Sequence, residues 1–302
     1  MTETARPEAS TVPLEALPPL RDTLAAAGIA ADKRFGQHFL LDLNICRKIA
    51  RLAGVSVDDD VLEIGPGPGG LTRALLETGA RVTVVEKDPR FIPLLDDLAA
   101  AVDGRLTVIE GDALKVDEAG LFAAGGAGRP VRIVANLPYN VGTPLLVKWL
   151  TGSFHPSSLT LMFQKEVALR IVAPAGDKEY GRLAVLCQAL CQARIVMDLP
   201  ARAFTPPPKV ASAVVTLTPL EAPPSAPLLA AVQTVAQSAF GQRRKMLRSA
   251  LKGLGGETLC RAAGIDPDAR AETVPVSGFL ALAQTWLDRR NGQAAPTLPT
   301  GV

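Results

Sequence analysis

The chain has 302 residues, which is enough for one large domain and a smaller second one around a buried core. A hydrophobic fraction of 48% excludes a chain that is disordered throughout, and a net charge of +2 gives no argument for a nucleic-acid partner by itself. Arg, Lys or Pro interrupts the longest apolar runs, and the N-terminal residues lack a secretory signal. We therefore expect a cytoplasmic protein with no membrane segment.

An alternation of strand and helix patterns begins near residue 61, after an Ala-, Pro- and Thr-rich segment, residues 1–31, which we expect to be a flexible arm. Val61 to Ile64 is predicted to be a strand, Leu71 to Leu76 a helix, and Arg81 to Glu86 the next strand. Such alternation is typical of a parallel sheet covered by helices on both faces. The same pattern predicts further strands at Leu106 to Glu110, Val131 to Ala135 and Leu159 to Phe163.

Two later strands, Ile195 to Leu199 and Ala213 to Leu217, have no helix between them and are predicted to form an antiparallel pair at the sheet edge. The connector carries prolines at 206–208, which cannot donate ladder hydrogen bonds and so indicate a loop. A Pro-rich linker follows Pro219, and only helical patterns come after it: Leu228 to Phe240, Arg243 to Leu254 and Phe279 to Arg289.

These patterns predict an α/β domain over residues 32–220 and a small all-helical domain over residues 225–290, followed by a flexible tail at 291–302. The four cysteines include no Cys-x-x-Cys pair, and only His38 and His155 could join them at a metal ion. Cys187 and Cys191 are predicted to share one helix face. We expect buried thiols and no metal site.

A glycine-rich loop, Gly65-Pro-Gly-Pro-Gly-Gly70, lies between the first predicted strand and the first helix. It satisfies G-x-G-x-x-G, which alone is a weak indication of a dinucleotide site. The longer string that starts at Glu63 is typical of S-adenosylmethionine enzymes. Glycines permit close backbone approach to a ligand, and the two prolines remove N–H groups that a pyrophosphate would need. We expect S-adenosylmethionine to bind here, with Glu63, Gly65 and Gly67 in its site.

Two acidic residues follow the next strands. Glu86 ends the second strand, where a carboxylate can accept hydrogen bonds from both ribose hydroxyls of a nucleoside. Asp112 follows the third strand and is predicted to accept from the amino group of the cofactor's adenine. The alternatives are a helix cap for Glu86 and a turn for Asp112. Their places at successive carboxyl ends of parallel strands favour the binding roles.

The string Asn136-Leu-Pro-Tyr139 follows the fourth strand, and we predict that it holds a nucleobase amino group for methylation. The lone pair of such an amino nitrogen is delocalised into the ring. Two hydrogen-bond acceptors, the Asn136 side-chain oxygen and the Leu137 carbonyl, would draw this lone pair out of conjugation. Their hydrogen bonds to the amino group would become stronger in the transition state, as positive charge develops on the nitrogen. Pro138 restricts the backbone, and Tyr139 offers a face for stacking a flipped base. The alternative is an ordinary turn with Tyr139 packed in the core.

A basic stretch stands out in the C-terminal part. On a single helix, Arg244, Arg248 and Lys252 would fall at i, i+4 and i+8, apart from an apolar face. The stretch contains no Asp or Glu, which favours contact with RNA phosphates over an ordinary solvated face. The residues predicted for this contact are Arg243, Arg244, Lys245 and Arg248.

Across both domains the motifs resemble the KsgA family of small-subunit ribosomal RNA adenine dimethyltransferases. The resemblance runs from about residue 32 to 290 and rests on these strings: Lys33-Arg-Phe-Gly-Gln-His-Phe-Leu40, Glu63-Ile-Gly-Pro-Gly67, Asn136-Leu-Pro-Tyr-Asn140, Gln164-Lys-Glu-Val167, Tyr180-Gly-Arg-Leu183, Phe204-Thr-Pro-Pro-Pro-Lys-Val210 and Gln242-Arg-Arg-Lys245.

The resemblance implies a Rossmann-like seven-stranded methyltransferase sheet with a small all-helical C-terminal domain. It also implies N6-dimethylation of two adjacent adenosines near the 3′ end of small-subunit (16S) ribosomal RNA during 30S assembly, by a monomer. By position, His38 and Leu40 would contact the cofactor, with Asn136 completing its site. Phe204 would form a second wall for the target base, and Lys209 would approach the RNA. His38 stands where many members have Asn, and for it and Phe204 the alternative is a packing role.

Two other functions are compatible with parts of this pattern. An Erm-type enzyme that methylates large-subunit ribosomal RNA would share the glycine loop and the Asn136 string, but the basic helical C-terminal domain argues against it. A ribosome-assembly factor could keep the fold without the chemistry, but it would be expected to lose Glu63, Asp112 and the Asn136 string. A dehydrogenase would need a hydride-transfer site, and none follows the fourth strand.

Overall fold

A computed structural model describes residues 14–32, 36–123 and 128–293 of the chain. By internal contacts the chain divides into two compact units. Unit 1 comprises Met1–Ala168 and Arg194–Thr218, and unit 2 comprises Leu169–Ala193 and Pro219–Val302. Among the described residues, no helix is long and apolar enough to cross a membrane.

Nine strands are present in the described part of the chain: β1 (Phe39–Leu40), β2 (Asp60–Ile64), β3 (Arg81–Glu86), β4 (Leu106–Glu110), β5 (Val131–Asn136), β6 (Ser158–Gln164), β7 (Cys191–Leu199), β8 (Phe204–Thr205) and β9 (Ser212–Pro219). Seven form one sheet in the order β4-β3-β2-β5-β6-β9-β7. The pairs from β4 to β6 are parallel, and β9 is antiparallel to β6. The predicted seven-stranded sheet is confirmed.

Two short strands were not predicted from the sequence. β1 and β8 pair antiparallel in a separate two-stranded sheet, in which Leu40 faces Phe204. Each has only two residues, too few for a side-chain alternation to be recognised. This pairing attaches the segment before the first large strand to the loop before β9.

The helices of the described residues are α1 (Leu20–Ala26), α2 (Leu43–Leu52), α3 (Gly70–Leu76), α4 (Ile92–Ala100), α5 (Glu118–Ala123), α6 (Gly142–Thr151), α7 (Lys165–Val172), α8 (Arg182–Leu190), α9 (Ala226–Gly241), α10 (Leu247–Ala250), α11 (Gly256–Ala262) and α12 (Val276–Gln293). Each unit has its own apolar core. Residues of α2, α3 and α4 pack with the sheet in unit 1, and α8, α9, α11 and α12 share the core of unit 2.

The unit boundaries do not follow the division predicted from the sequence. We expected residues 32–220 to form one domain, but residues 169–193 belong to unit 2. The reason is that buried residues of α8, such as Ala184 and Val185, pack in one core with α9 and α12. The periodicity of α8 indicates a helix but carries no information about which core it joins.

Part of the predicted flexible arm is folded. Helix α1 buries Leu20 and Leu24, and Arg73 on α3 donates a hydrogen bond to the carbonyl of Pro18 at 2.8 Å. Residues 1–13 and 33–35 lie outside the described residues. Of the predicted tail, residues 291–293 continue α12, and residues 294–302 lie outside the described residues.

The predicted helix from Arg243 to Leu254 is wrong. Residues 242–245 form turns, α10 has only four residues, and a 3₁₀ turn spans Lys252–Leu254. Arg244, Arg248 and Lys252 therefore do not form one helical stripe. The shared helix face of Cys187 and Cys191 is also wrong, because α8 ends at Leu190 and Cys191 begins β7. All four cysteines are buried free thiols, as predicted.

Candidate functional site

A cleft in unit 1 lies where the parallel strands β2, β3, β4 and β5 end, and it encloses about 240 Å³. This edge of an open α/β sheet is where such folds bind ligands. The lining consists of residues 36–40, 63–68, 70–71, 85–87, 111–114, 136–141 and Leu145. All the residues predicted to bind the cofactor line this cleft, and so do the predicted target-base residues apart from Phe204. The residues predicted to contact RNA phosphates, Lys209 and the C-terminal basic residues, are not part of the lining.

The glycine loop lies next to the Asn136 string in the lining of the cleft. Gly65 has φ +66 and Gly67 has φ +53, in the left-handed region that favours glycine. A Cβ atom on Gly65 would lie 3.5 Å from Cδ of Pro138, and one on Gly67 would lie 3.4 Å from the ring of Phe39. Side chains at these positions would therefore strain the backbone and reduce the space between the loop and its neighbours.

Glu86 connects the glycine loop to the turn after β3. Its carboxylate accepts hydrogen bonds from the backbone N–H of Gly67 at 3.0 Å and from those of Lys87 and Asp88 at 2.8 Å each. Burial raises the pKa of Glu86, and the three N–H donors oppose this rise. The carboxylate is thus fixed at the end of β3, facing the cleft.

Asp88 extends this network to the N-terminal motif. It accepts from Gln37 Nε2 at 2.8 Å and from the guanidinium of Arg90, which lowers the pKa of Asp88. Arg90 also donates to the carbonyl of Ala30 at 3.2 Å. The residues that precede His38 are therefore held against the turn that follows Glu86.

Glu63 is a buried acid at the base of the cleft. It is 1% exposed and accepts a hydrogen bond from Thr72 Oγ1 at 2.7 Å. Burial raises the pKa of Glu63 to about 8, the Thr72 hydroxyl opposes the rise, and the nearby charge of Glu86 adds to it. Burial thus makes Glu63 retain a proton to higher pH than an exposed carboxyl group would.

Asp112 is paired with Lys87, whose ammonium lies 2.9 Å from its Oδ2 atom. Its other oxygen accepts from the N–H of Leu114 at 3.1 Å. The bond to Lys87 lowers the pKa of Asp112, so the side chain is a carboxylate and can only accept hydrogen bonds. Asp112 therefore takes part in a turn, which was the predicted alternative, and this turn holds its carboxylate at the mouth of the cleft.

Asn136 is oriented by the N-terminal motif. Its amide nitrogen donates to the main-chain carbonyl of His38 at 3.2 Å. A carbonyl can only accept, so the NH₂ end of the amide faces His38 and the oxygen remains as the acceptor for a ligand. The His38 ring donates through Nδ1 to the carbonyl of Pro206 at 2.8 Å, for the same reason. His38 thus connects Asn136 with the proline loop.

Sequence reasoning missed Ser212, which positions Tyr139. The Tyr139 hydroxyl lies 2.7 Å from Ser212 Oγ, and Ser212 is fully buried at the start of β9. On its other side, Tyr139 contacts the His38 ring, with 5.5 Å between the ring centroids. Ser212 precedes a predicted strand, and no motif marked it as a partner of a residue so distant in the chain.

Two predicted substrate residues lie outside the cleft lining. Phe204 is 2% exposed and belongs to the apolar core of unit 1, so its role as a wall for the target base stays a prediction. In the separate two-stranded sheet it is paired with Leu40. Lys209 is exposed in the loop before β9.

The basic residues of unit 2 differ in how they are engaged. Arg243 donates to the carbonyl of Lys178 at 2.6 Å, and Arg248 pairs with Asp268 at 2.8 Å. The expectation that no acid pairs with this stretch is therefore wrong for Arg248, because Asp268 is distant in sequence but close in space. Arg244 and Lys245 are exposed.

Comparison with known proteins places the chain in a family. The family model for ribosomal RNA adenine dimethylase matches residues 29–287. A ribosomal RNA small subunit methyltransferase A from Phenylobacterium zucineum is 66% identical over 281 residues, which cover 93% of this chain and 97% of that protein.

Two solved structures share the fold. A dimethyladenosine transferase from Plasmodium falciparum matches with a TM-score of 0.67 and 28% identity, covering 81% of this chain and 96% of that one. The 23S rRNA methyltransferase ErmE matches with a TM-score of 0.64 and 26% identity, covering 83% of this chain and 99% of its own. The chain therefore belongs to the ribosomal RNA adenine dimethylase family, and the prediction of a Rossmann-like, S-adenosylmethionine-dependent rRNA methyltransferase is confirmed.

The described cleft fits this cofactor. Pro66 and Pro68 remove N–H groups from the loop, as suits a ligand without phosphate, and the left-handed glycines bring the backbone close to the space a ligand would occupy. The carboxylates of Glu86 and Asp112 supply acceptors for hydroxyl and amino groups.

We predict that Glu63 makes the stability of the protein depend on pH. Because the pKa of Glu63 in the folded protein, about 8, exceeds the ordinary Glu value of about 4.5, the unfolded chain binds fewer protons between these values. The free energy of unfolding should therefore fall as pH rises from about 4.5 to about 8, and Glu63→Gln should lack this contribution. Urea unfolding of both proteins across this range provides the measurement.

Glu110 supplies the control, since it is an exposed carboxylate at the end of β4 and its replacement by Gln leaves the cleft untouched. A difference between wild type and Glu63→Gln that stays constant across the pH range would contradict the prediction.

Proposed function

We propose that this protein dimethylates N6 of two adjacent adenosines near the 3′ end of small-subunit (16S) ribosomal RNA during assembly of the 30S subunit. The observation that carries the proposal is the arrangement of the cleft, which the glycine loop and the target string line together, so closely that a Cβ atom on Gly65 would lie 3.5 Å from Cδ of Pro138. Cofactor residues and target residues thus lie side by side, as methyl transfer requires.

In this proposal the cofactor lies across the ends of the strands. Glu86 accepts from the ribose hydroxyls and Asp112 from the adenine amino group, beside the backbone of Gly65 and Gly67. The N-terminal motif contributes the surfaces of His38 and Leu40, and Glu63 supports the loop through Thr72. When bound, S-adenosylmethionine supplies an electrophilic methyl group on its sulfonium.

The target adenine would be held by the Asn136 string. The Asn136 oxygen, oriented by its amide bond to His38, and the Leu137 carbonyl each accept one N–H of the amino group, which localises the lone pair on N6. Pro138 restricts the backbone of Leu137 to extended geometry, and Tyr139 stacks on the base. A strong general base is not required, because a methylated cationic nitrogen releases its proton readily.

The choice of the small subunit rests on the relatives. The small-subunit methyltransferase from Phenylobacterium zucineum is 66% identical to this chain, whereas the 23S rRNA methyltransferase ErmE is 26% identical. The TM-scores of ErmE and of the dimethyladenosine transferase, 0.64 and 0.67, are similar. The fold alone does not separate these substrates, so the identity supports the small subunit over the Erm-type alternative. One chain supplies both cofactor and target residues, which supports a monomer as the active form. A ribosomal substrate in turn supports a cytoplasmic location.

Unit 2 is proposed to hold the RNA. The best candidates for phosphate contacts are Arg244 and Lys245, exposed in the turn after α9, with Arg243 and Arg248 in support. Lys209, exposed in the loop before β9 of unit 1, is proposed as a further contact. Arg243 and Arg248 already have protein partners, so a phosphate would have to share or replace these bonds. Phosphate contacts provide affinity without reading sequence.

A methylation assay with labelled S-adenosylmethionine tests the proposed reaction. Unmethylated small subunits and large subunits are offered side by side. We expect transfer to adenosine N6 of small subunits, and a loss of roughly 100-fold or more for Asn136→Ala, because one acceptor to the developing charge is removed. Asn136→Asp keeps acceptor oxygens but cannot donate to the His38 carbonyl, so it should also be impaired. Transfer to large subunits, or full activity of Asn136→Ala, would overturn the proposal.

We predict that Ser212 acts through Tyr139. Ser212→Ala removes the partner of the Tyr139 hydroxyl and should lower kcat/KM roughly three- to tenfold, the usual worth of one hydrogen bond. Tyr139→Phe should have a similar effect, and the double variant should lose no more than either single one.

The matched control is Thr216→Val, which removes a buried hydroxyl from the same strand, where Thr216 lies 3.2 Å from Thr160 Oγ1. It should leave kcat/KM unchanged. Additive losses in the Ser212 and Tyr139 double variant would contradict the role of their contact.

The salt dependence of subunit binding tests the role of the basic turn. Arg244→Glu combined with Lys245→Glu should weaken binding and reduce the slope of log K against log salt by about 1 to 2, since each lost phosphate contact contributes nearly one unit. Arg261→Glu on α11 is the control, because Arg261 already pairs with Glu257 at 2.7 Å. An unchanged slope in the Arg244 and Lys245 variant would remove this surface from the proposed interface.

A further inference from the structure

Lys148 on α6 holds the loop that follows β4. Its ammonium group donates to the carbonyls of Ala113 at 2.9 Å and Val116 at 2.6 Å, and to the Glu118 carboxylate at 2.8 Å. An ammonium has three donors, so this network uses all of them. Glu118 is 4% exposed and also accepts from Trp149 Nε1 at 2.8 Å.

The two ends of this network belong to different parts of the cleft. The loop over residues 111–114, which contains Asp112, lines the cleft on the side proposed for adenine of the cofactor. Helix α6 begins directly after the Asn136 string, and Leu145, one turn before Lys148, lines the cleft as well. Lys148 therefore joins the cofactor loop to the helix that follows the target residues.

We propose that Lys148 is a positioning residue for cofactor binding: it fixes the loop over residues 111–118 in the conformation in which Asp112 meets the adenine of S-adenosylmethionine. This inference rests on the proposed function, because it assumes that the cleft binds that cofactor. Lys148 lies behind the loop and bonds to its carbonyls, so it acts through Asp112 and its neighbours.

The chemistry of the network favours positioning over stability. Removing an ion pair from water is costly, and an apolar pair of similar volume often stabilises a fold as well or better. A cation that bonds two carbonyls three residues apart in one loop, by contrast, specifies the path of the backbone between them, which apolar contacts do not. The short helix α5 that follows has only six residues, and the next four residues lie outside the described part.

Cofactor binding by Lys148→Met, measured by calorimetry on the full chain, tests the proposal. We expect the Kd for S-adenosylmethionine to rise roughly tenfold, with little change in KM for small subunits, since charged hydrogen bonds to the loop are lost. Lys148→Met leaves the buried carboxylate of Glu118 without its cationic partner, and the double variant Lys148→Met, Glu118→Gln removes that charge as well. Its Tm should recover toward that of wild type, while its Kd should stay raised, because the loop carbonyls still lack their donor.

Arg132→Met is the matched control. Arg132 pairs with Asp59 at 2.8 Å with side-chain exposures of 26% and 2%, against 27% and 5% for Lys148 and Glu118. It also donates to the carbonyl of Ala53, but it lies at the amino ends of β2 and β5, away from the cleft. Arg132→Met should lower Tm and leave the Kd unchanged.

An unchanged Kd in Lys148→Met would overturn the inference, as would a Kd that returns to the wild-type value in the double variant or rises equally in Arg132→Met. Failure of the wild-type protein to bind S-adenosylmethionine would instead overturn the proposed function.

Discussion

The parallel register of four neighbouring strands is the constraint on which the candidate site depends. Because β2 pairs with β3 and β5, and β3 with β4, their carboxyl ends meet at one edge of the sheet. Glu86, Asp112 and Asn136 are remote in the chain, yet each stands at or just after the end of one of these strands. The sheet therefore sets their separation, and the loops only have to turn.

Hydrogen bonds from the chain's own backbone and side chains then fix the orientation of these groups. Glu86 is held by three N–H donors, Asp112 by Lys87, and Asn136 by the carbonyl of His38. The fixed orientation of Asn136 affects the second of two successive methyl transfers. After the first methyl, the amino group offers one N–H to two acceptors, so a rigid Asn136 requires the base to reorient for the second.

The sheet could be predicted because its strands are apolar runs separated by helical patterns, and the cleft because its residues follow those runs directly. Contacts between remote segments could not. The sequence shows no acid near Arg248, yet Asp268 pairs with it. The resemblance implied a binding wall at Phe204, but nothing in the sequence indicated that its side chain is buried in the core of unit 1. Ser212 has no motif that connects it with Tyr139.

A crystal structure of the protein with S-adenosylhomocysteine tests most directly how the cleft places the cofactor relative to the Asn136 string. We expect the ribose hydroxyls on Glu86, the adenine amino group on Asp112 and the sulfur directed toward the Asn136 oxygen, while the Asn136 amide nitrogen still donates to the carbonyl of His38. A ligand bound elsewhere on unit 1, or one in the cleft with its sulfur directed away from Asn136, would contradict it.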